Sequence, residues 1–306
     1  MIPDFQTLML PFLQHIANGH EYSTMEIHDA LARQFKLSDE EINHFLPSGR
    51  QRTFANRLHW VKAHLKMAGL LKSSGRGRCV ITDVGQRVLA EKPSRINLKF
   101  LRQFPGYIEN VGKNKTDEKS NHLEEGGDSE SNATPMEILA ENYLKIRKNL
   151  ALELLAKIKS GSPAFFEKLV VELLVKMGYG GTVEDAGKSL KRSADEGIDG
   201  IINEDRLGLD IIYVQAKRWK QENVVGRPEI QKFVGALAGQ GAKKGVFVTT
   251  SKFSQEARNY QPRNETKIVL IDGDQLAGLM IDYNLAVATL DTFTIKRIDN
   301  DYFEEE

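Results

Sequence analysis

The sequence predicts a mainly α N-terminal domain followed by an α/β (α+β) domain with a mixed central sheet. Three observations carry this. Between Gly112 and Pro135 runs GKNKTDEKSNHLEEGGDSESNATP, a polar stretch with almost no large apolar residue, which cannot offset the entropy of ordering itself and reads as a linker. Before it, apolar residues recur at helical spacing and lead into one short hairpin. After it, a hairpin gives way to alternating helices and strands. The expected division is 1–95 for the first domain, 96–135 for the linker, largely disordered from 112, 136–290 for the second domain and 291–306 for a tail whose acidic YFEEE end frays.

With 306 residues, 41% of them hydrophobic and 27% charged, the chain has globular composition and room for two cores. No apolar run is long enough to cross a bilayer, and MIPDFQTLML lacks a basic segment ahead of its apolar residues. The single cysteine, Cys79, allows no intrachain disulfide, so a cytoplasmic protein with no membrane partner is the expectation. Net charge is zero, and any nucleic-acid signal must lie in how charge is distributed.

In the first domain, helices are expected over 3–17, from Ser23 or Thr24, and from Ser38, where Glu41 completes a capping box. A longer helix follows over 52–68. Its Phe54, Leu58, Val61, Leu65 and Ala68 form one apolar stripe, while Arg52, Asn56, His59, Ala63 and Lys66 fall on the opposite face of an ideal wheel. A hairpin with a basic tip, Ser73 to Arg78, precedes a last helix from Asp83. Helices followed by such a hairpin describe a winged helix. From Arg50 to Arg78 there are eight arginines and lysines and no acid. Arg50, Arg52, Asn56, His59, Lys62, Lys66, Arg76 and Arg78 are therefore the candidate contacts to double-stranded DNA, with phosphate contacts making affinity salt-dependent. Trp60, Phe54 and Cys79 read as core.

After the linker a helix is expected over 136–159, and a second from Ser162-Pro163, an N-cap followed by proline at the first helical position, to Gly178. A short strand over 180–185 and a polar loop carrying Lys188, Lys191 and Arg192 come next. Strands 198–203 and 209–217 pair as an antiparallel hairpin across EDRLG. Then come a helix 228–240, a strand 245–250, a helix 254–260, a strand 267–271 and a helix 274–283. Thr249, Thr250 and Ser251 stand between a strand and a helix, where hydroxyls bind phosphate or, the reading preferred here, Ser251 or Ser254 caps the helix.

The second domain contains no histidine and no cysteine, which removes histidine-based nucleases, Ser-His-Asp and Cys-His nucleophiles, and zinc sites built on those ligands. Carboxylates and lysines remain. Gln215 and Lys217 are two apart in YVQAKRW and share a strand face; hairpin pairing can bring Asp199 of EGIDGII beside them. A carboxylate, an amide oxygen and an ammonium around one point suit phosphodiester hydrolysis with a hard cation, Mg²⁺ (or Mn²⁺), that activates water and neutralises the phosphate. Glu167 adds an independent clue. On the helical wheel it falls between Val170, Val171 and Leu174, where an unpaired charge is costly and a metal or a lysine would resolve it. Asp195 and Glu196 can supply a further carboxylate, and Gln231 and Arg258 stand on helices that can reach the site or face solvent.

At these residues the sequence resembles the Mrr family of restriction endonucleases, within the PD-(D/E)xK nuclease superfamily, through PAFFEKLVVELLVKMGYGG, DEGIDG, VQAKRW, VTTSKFSQEAR and IVLIDGDQL. LPSGRQRTFANRLHWVKAHLKMAGLL and the following SGRGR and VITDVGQRVL resemble the amino-terminal winged domain of the same family. The resemblance implies a restriction-endonuclease-like fold, with Glu167, Asp199, Gln215 and Lys217 as the catalytic set, Glu167, Asp199 and Gln215 as divalent-metal ligands, and DNA carrying modified bases as substrate. The position two before the lysine, acidic across the superfamily, is glutamine here. Cutting two strands takes two active sites, so a homo-oligomer, dimer or tetramer, is expected. The alternatives are a DNA-binding regulator with a degenerate nuclease fold, motivated by Gln215, and a structure-specific nuclease for branched DNA.

Overall fold

A computed structural model describes residues 1–75, 77–112, 132–180, 198–205, 210–219, 223–262 and 265–296. Two compact units emerge, one built on Met1–Lys145 and one on Ile146–Ile295. Among the described residues no helix is long and apolar enough to cross a membrane.

The first unit runs α1 (Phe5–His15), β1 (Tyr22–Ser23), α2 (Thr24–Gln34), α3 (Asp39–Ile42), α4 (Thr53–Met67), β2 (Leu71–Gly75), β3 (Arg78–Ile81), α5 (Asp83–Ala90), α6 (Leu98–Leu101), α7 (Pro105–Gly112) and the start of α8 (Pro135–Ser160). The strands form an antiparallel sheet in the order β1-β3-β2, which with the preceding helices makes the winged helix. Local chemistry fixes the helix starts. Asp4 accepts from the Gln6 and Thr7 amides, and Ser23 with Glu26 and Ser38 with Glu41 form capping boxes, so each start satisfies amides that have no partner within the helix. The α4 stripe Phe54, Leu58, Val61 and Leu65 is buried and packs with Phe5, Leu8, Met9 and Phe12 of α1 in one core.

That core takes in more chain than the sequence suggested. Residues 96–112, expected to belong to the linker, contribute buried Ile96, Leu101 and Tyr107 to it. Their two helices have four and eight residues, too short for periodicity to announce them, and α6 is fixed instead by Asn97, whose side chain accepts from the Phe100 amide. The expected linker between 113 and 131 lies outside the described residues. At its far end Thr134 is fully buried, and its hydroxyl donates to Asn56 Oδ1 at 2.6 Å.

The second unit holds the remainder of α8, α9 (Pro163–Lys176), β4 (Gly200–Asn203), β5 (Ile211–Lys217), α10 (Arg227–Gly239), β6 (Lys244–Thr249), α11 (Gln255–Arg258), β7 (Lys267–Ile271) and α12 (Gly273–Asp282). The sheet order is β4-β5-β6-β7. β4 and β5 pair antiparallel as the hairpin, and β5, β6 and β7 run parallel, linked by helices. Period-two alternation sorts the two faces. Ile202, Ile212, Val214, Ala216, Val246 and Val248 pack with Leu154 and Ile158 of α8 and with α9 and α12. Phe247 and Tyr213 face the other way, onto Ile230, Phe233 and Leu237 of α10. Gly245 permits this close seating of α10 on β6, since a Cβ there would stand 2.8 Å from both Phe233 and Leu237. Of the strand expected over 180–185 only Gly180 is described, and Lys188, Lys191, Arg192, Asp195 and Glu196 lie outside the described residues.

Candidate active site

The site forms where the hairpin ends against α9. Gly200 pairs with Val214, and just before it the Asp199 amide donates to the Val214 carbonyl at 2.9 Å. The Asp199 carboxylate turns along β5, and its Oδ2 accepts the Ala216 amide at 2.7 Å. One oxygen is thus committed to the strand, which orients the group and leaves Oδ1 for a ligand. Ala216 is flanked by Gln215, buried at 5% exposure, and by Lys217, partly buried as the last residue of β5. Alternation sets Gln215 and Lys217 on one face of the strand, as their spacing required.

Glu167 comes from the first turns of α9, which Ser162 caps by accepting from the Phe165 amide. Phe166, Leu169, Val170, Leu173 and Leu174 anchor the helix in the core, so Glu167 is held half-buried at its edge. Burial first, and then the negative charge of Asp199, push the Glu167 carboxyl above the usual carboxylate range, while the Lys217 ammonium opposes both. The structure therefore brings Glu167, Asp199 and Lys217 within electrostatic reach of one another, with Gln215 on the lysine's own face.

This donor set suits a hard cation. A Glu167 carboxyl whose ionisation is disfavoured by burial and by Asp199 would gain from a divalent ion beside it, and an amide oxygen would add a neutral ligand. Among the described residues no group of three or more His, Cys, Asp or Glu stands ready to hold a metal.

Of the other side chains near the sheet, several have partners elsewhere. Arg258 pairs with Asp272 at 2.5 Å and lies over the Phe253 ring, and Gln231 is exposed on α10. Arg218 donates from Nη1 to the Lys159 carbonyl at 2.6 Å. Ser254 is the N-cap of α11, as one of the two cap readings had it. Thr249, Thr250 and Ser251 are buried and turn their hydroxyls onto the carbonyls of Lys217, Trp219 and Asn223, a use that no sequence motif announces.

In the first unit Arg50, Arg52, His59, Lys66 and Arg78 are exposed. Arg50 and Arg52 stand on a turn closed by the Phe45–Arg52 bridge, with the Arg52 guanidinium 5.9 Å from the Phe45 ring centroid. Two expectations for α4 need correction. Asn56, placed on the DNA-facing side by the ideal wheel, is 1% exposed; its amide nitrogen donates to Gln51 and its oxygen accepts from Thr134. The wheel could not foresee that residue 134 would cover that flank of the helix. Lys62 is half-buried, and its ammonium donates to Thr24 Oγ1 and the Gly77 carbonyl, fastening the tip of the wing; burial holds it below the ordinary lysine value. Arg57, part of the acid-free stretch, is likewise engaged, by Glu137. Arg76 lies outside the described residues.

Fold and cluster together define the class, a restriction-endonuclease-like α/β domain joined to a winged-helix domain. The restriction endonuclease family matches residues 158–280, and the Mrr N-terminal domain matches residues 5–91. Over 309 aligned residues, 99% of each chain, the sequence is 35% identical to the type IV methyl-directed restriction enzyme EcoKMrr of Escherichia coli strain K12. The chain belongs to the Mrr family of restriction endonucleases. Among solved structures it is similar to the DNA modification-dependent restriction endonuclease AspBHI, at 15% identity and a TM-score of 0.36 over 71% of this chain and 56% of that one. It is similar also to the MspJI restriction endonuclease in complex with a 27-mer oligonucleotide, at 20% identity and a TM-score of 0.28 over 66% of this chain and 42% of that one.

Proposed function

We propose that the protein cuts methylated double-stranded DNA in the cytoplasm by Mg²⁺-dependent (or Mn²⁺-dependent) phosphodiester hydrolysis, with Glu167, Asp199, Gln215 and Lys217 as its site. The observation that carries the site is the convergence of Asp199, fixed to the Ala216 amide, with Glu167 and Lys217. The substrate reading is supported by 35% identity along the full chain to an enzyme described as methyl-directed. A bound divalent cation would neutralise the scissile phosphate and lower the pKa of a bound water. Asp199 Oδ1, Glu167 and the Gln215 amide oxygen are the groups to hold it. Lys217, at the strand end, directs an ammonium to the attacking water or the phosphate oxygens. Arg50, Arg52, His59, Lys66 and Arg78 offer an exposed basic surface for phosphates of the duplex. A homo-oligomer supplies the second site that a double-strand cut requires.

Matched methylated and unmethylated plasmids, incubated at low salt with Mg²⁺ and the wild type, Asp199→Ala or Lys217→Ala, test this reading. Cutting of the methylated plasmid alone, lost in both variants, is the expected result. Equal cutting of both plasmids removes the modification dependence. Salt-sensitive binding without cutting would turn the reading to a DNA-binding regulator, for which the neutral Gln215 is the motive.

A further inference from the structure

β5 ends at Lys217, and there its pairing with β6 changes character. Through the strand the ladder is backbone to backbone, with Lys217 opposite Thr249. Beyond it, side-chain hydroxyls take over. The Lys217 carbonyl accepts from the Thr249 hydroxyl at 2.9 Å, from the Trp219 amide at 3.1 Å and from the Thr250 amide at 3.3 Å. A carbonyl has two lone pairs, so three converging donors over-determine its position. The Thr250 hydroxyl donates to the Trp219 carbonyl at 2.7 Å, and the Ser251 hydroxyl donates to the Asn223 carbonyl. Backbone pairing then resumes, with the Val225 amide donating to Lys252 and the Ser254 amide to Val225. Thr249, Thr250 and Ser251 are each at most 2% exposed. Behind them the backbone is seated against α12: the Gly273 amide donates to the Ser251 carbonyl, and a Cβ on Gly273 would stand 2.8 Å from the Thr250 carbonyl oxygen.

We propose that Thr249 is a positioning residue for Lys217, and that the Thr249-Thr250-Ser251 run is a hydroxyl clamp holding the end of β5 so that the ammonium is presented at a fixed point. The proposal rests on Lys217 acting in the proposed site. Its physical basis is that catalysis by a positioned charge is sensitive to displacements on the order of 1 Å, whereas binding of a long DNA duplex through the winged-helix surface is not.

Thr249→Val keeps the β-branched shape and removes the hydroxyl, leaving the Lys217 carbonyl its two amide donors and taking from the Ser251 amide the acceptor it has in Thr249 Oγ1 at 3.1 Å; an unchanged far-ultraviolet circular dichroism spectrum checks that the fold is retained, and Thr249→Ser keeps the hydroxyl and both of its contacts. Under single-turnover conditions on methylated plasmid with Mg²⁺, Thr249→Val is expected to lower the cleavage rate about tenfold or more with DNA affinity unchanged, and Thr249→Ser to restore it. Without metal or DNA, amide exchange of Trp219 and Thr250, which share the same carbonyl, is expected to quicken about tenfold in Thr249→Val and to stay at the wild-type rate in Thr249→Ser. Lys217→Ala, run beside them, separates the two levels of the argument. If Lys217→Ala is inactive while Thr249→Val cuts and exchanges like the wild type, the clamp is wrong and the site reading stands. If Lys217→Ala cuts normally, both fall together.

Discussion

One route by which acidification acts on the N-terminal unit is a buried histidine. His64 lies on α4, stacked on Phe5, beside Trp60 and Tyr107, with its Nδ1 2.9 Å from the Tyr107 hydroxyl. Burial pushes its imidazole from the ordinary 6.5 down to about 4, so at neutral pH the ring is uncharged and Nδ1 can accept from the tyrosine. A group depressed in the folded state contributes stability that is complete above its unfolded pKa and is lost as pH falls through the window from 6.5 to about 4. At about 1.36 kcal/mol per pKa unit, the loss is roughly 2 kcal/mol by pH 5 and about 3 kcal/mol by pH 4. The chain has two tryptophans; Trp219→Phe leaves Trp60, 5.8 Å from the His64 ring, as the reporter. Urea unfolding followed by Trp60 fluorescence should show a midpoint lower by roughly 1 M at pH 5 than at pH 7.5. Adding His64→Gln, which cannot protonate, should remove most of that drop. Equal pH dependence with and without the histidine would refute the assignment.

Three further substitutions are open to the same kind of accounting. Glu167→Gln should lower cleavage at least about 100-fold, yet raise the melting temperature of the metal-free protein at neutral pH. The folded carboxyl titrates above its unfolded value, so its charge is a cost that is absent below the unfolded pKa and complete once pH rises past the folded one; calorimetry across pH 4 to 8 with chelator checks the sign. Arg57 donates to Glu137 and to the Ile2 and Pro3 carbonyls from a largely buried position, so Arg57→Met should cost about 3–5 kcal/mol in urea unfolding and leave the salt slope of DNA binding unchanged. Lys66→Ala, by contrast, should reduce that slope by about one ion and leave stability alone.

What was legible in the sequence follows from which interactions are local. The helix starts at Ser23, Ser38 and Ser162, the α4 stripe and the β4–β5 hairpin all rest on contacts a few residues long or on short-range periodicity, and they stand where the pattern put them. Glu167 was readable for the same reason, as a carboxylate out of place on an apolar helix face. The misread positions depend on partners far along the chain. Asn56 is buried by residue 134, Lys62 is claimed by Gly77, and 96–112 belongs to a core whose other members precede residue 90. No wheel drawn on one helix contains those partners. The hydroxyls of 249–251 are the intermediate case, because the pattern announced a strand-to-helix junction but not that the hydroxyls would serve a neighbouring strand's carbonyls.

Gln215 makes physical sense once the burial of β5 is known. The residue is 5% exposed, beside an Asp199 whose charge already helps to push Glu167 upward. A third carboxylate there would be desolvated against two others, and without a cation at least one of the three would have to take up a proton. An amide offers an oxygen to a metal without adding to that repulsion, so the metal-free site can fold with Asp199 fixed on the Ala216 amide. In the proposed site the cost would be weaker retention of a cation, because one of its ligands would be neutral. Glu167, supplied by a helix rather than by the strand, would return a second negative charge at the half-buried rim, where burial and Asp199 disfavour that charge without a cation. The departure from an acid-x-lysine strand therefore moves charge from the buried sheet to the helix edge, and it leaves the placing of Lys217 to the end of β5, whose Lys217 carbonyl accepts from the Thr249 hydroxyl. The hydroxyl clamp at 249–251 stands at that position.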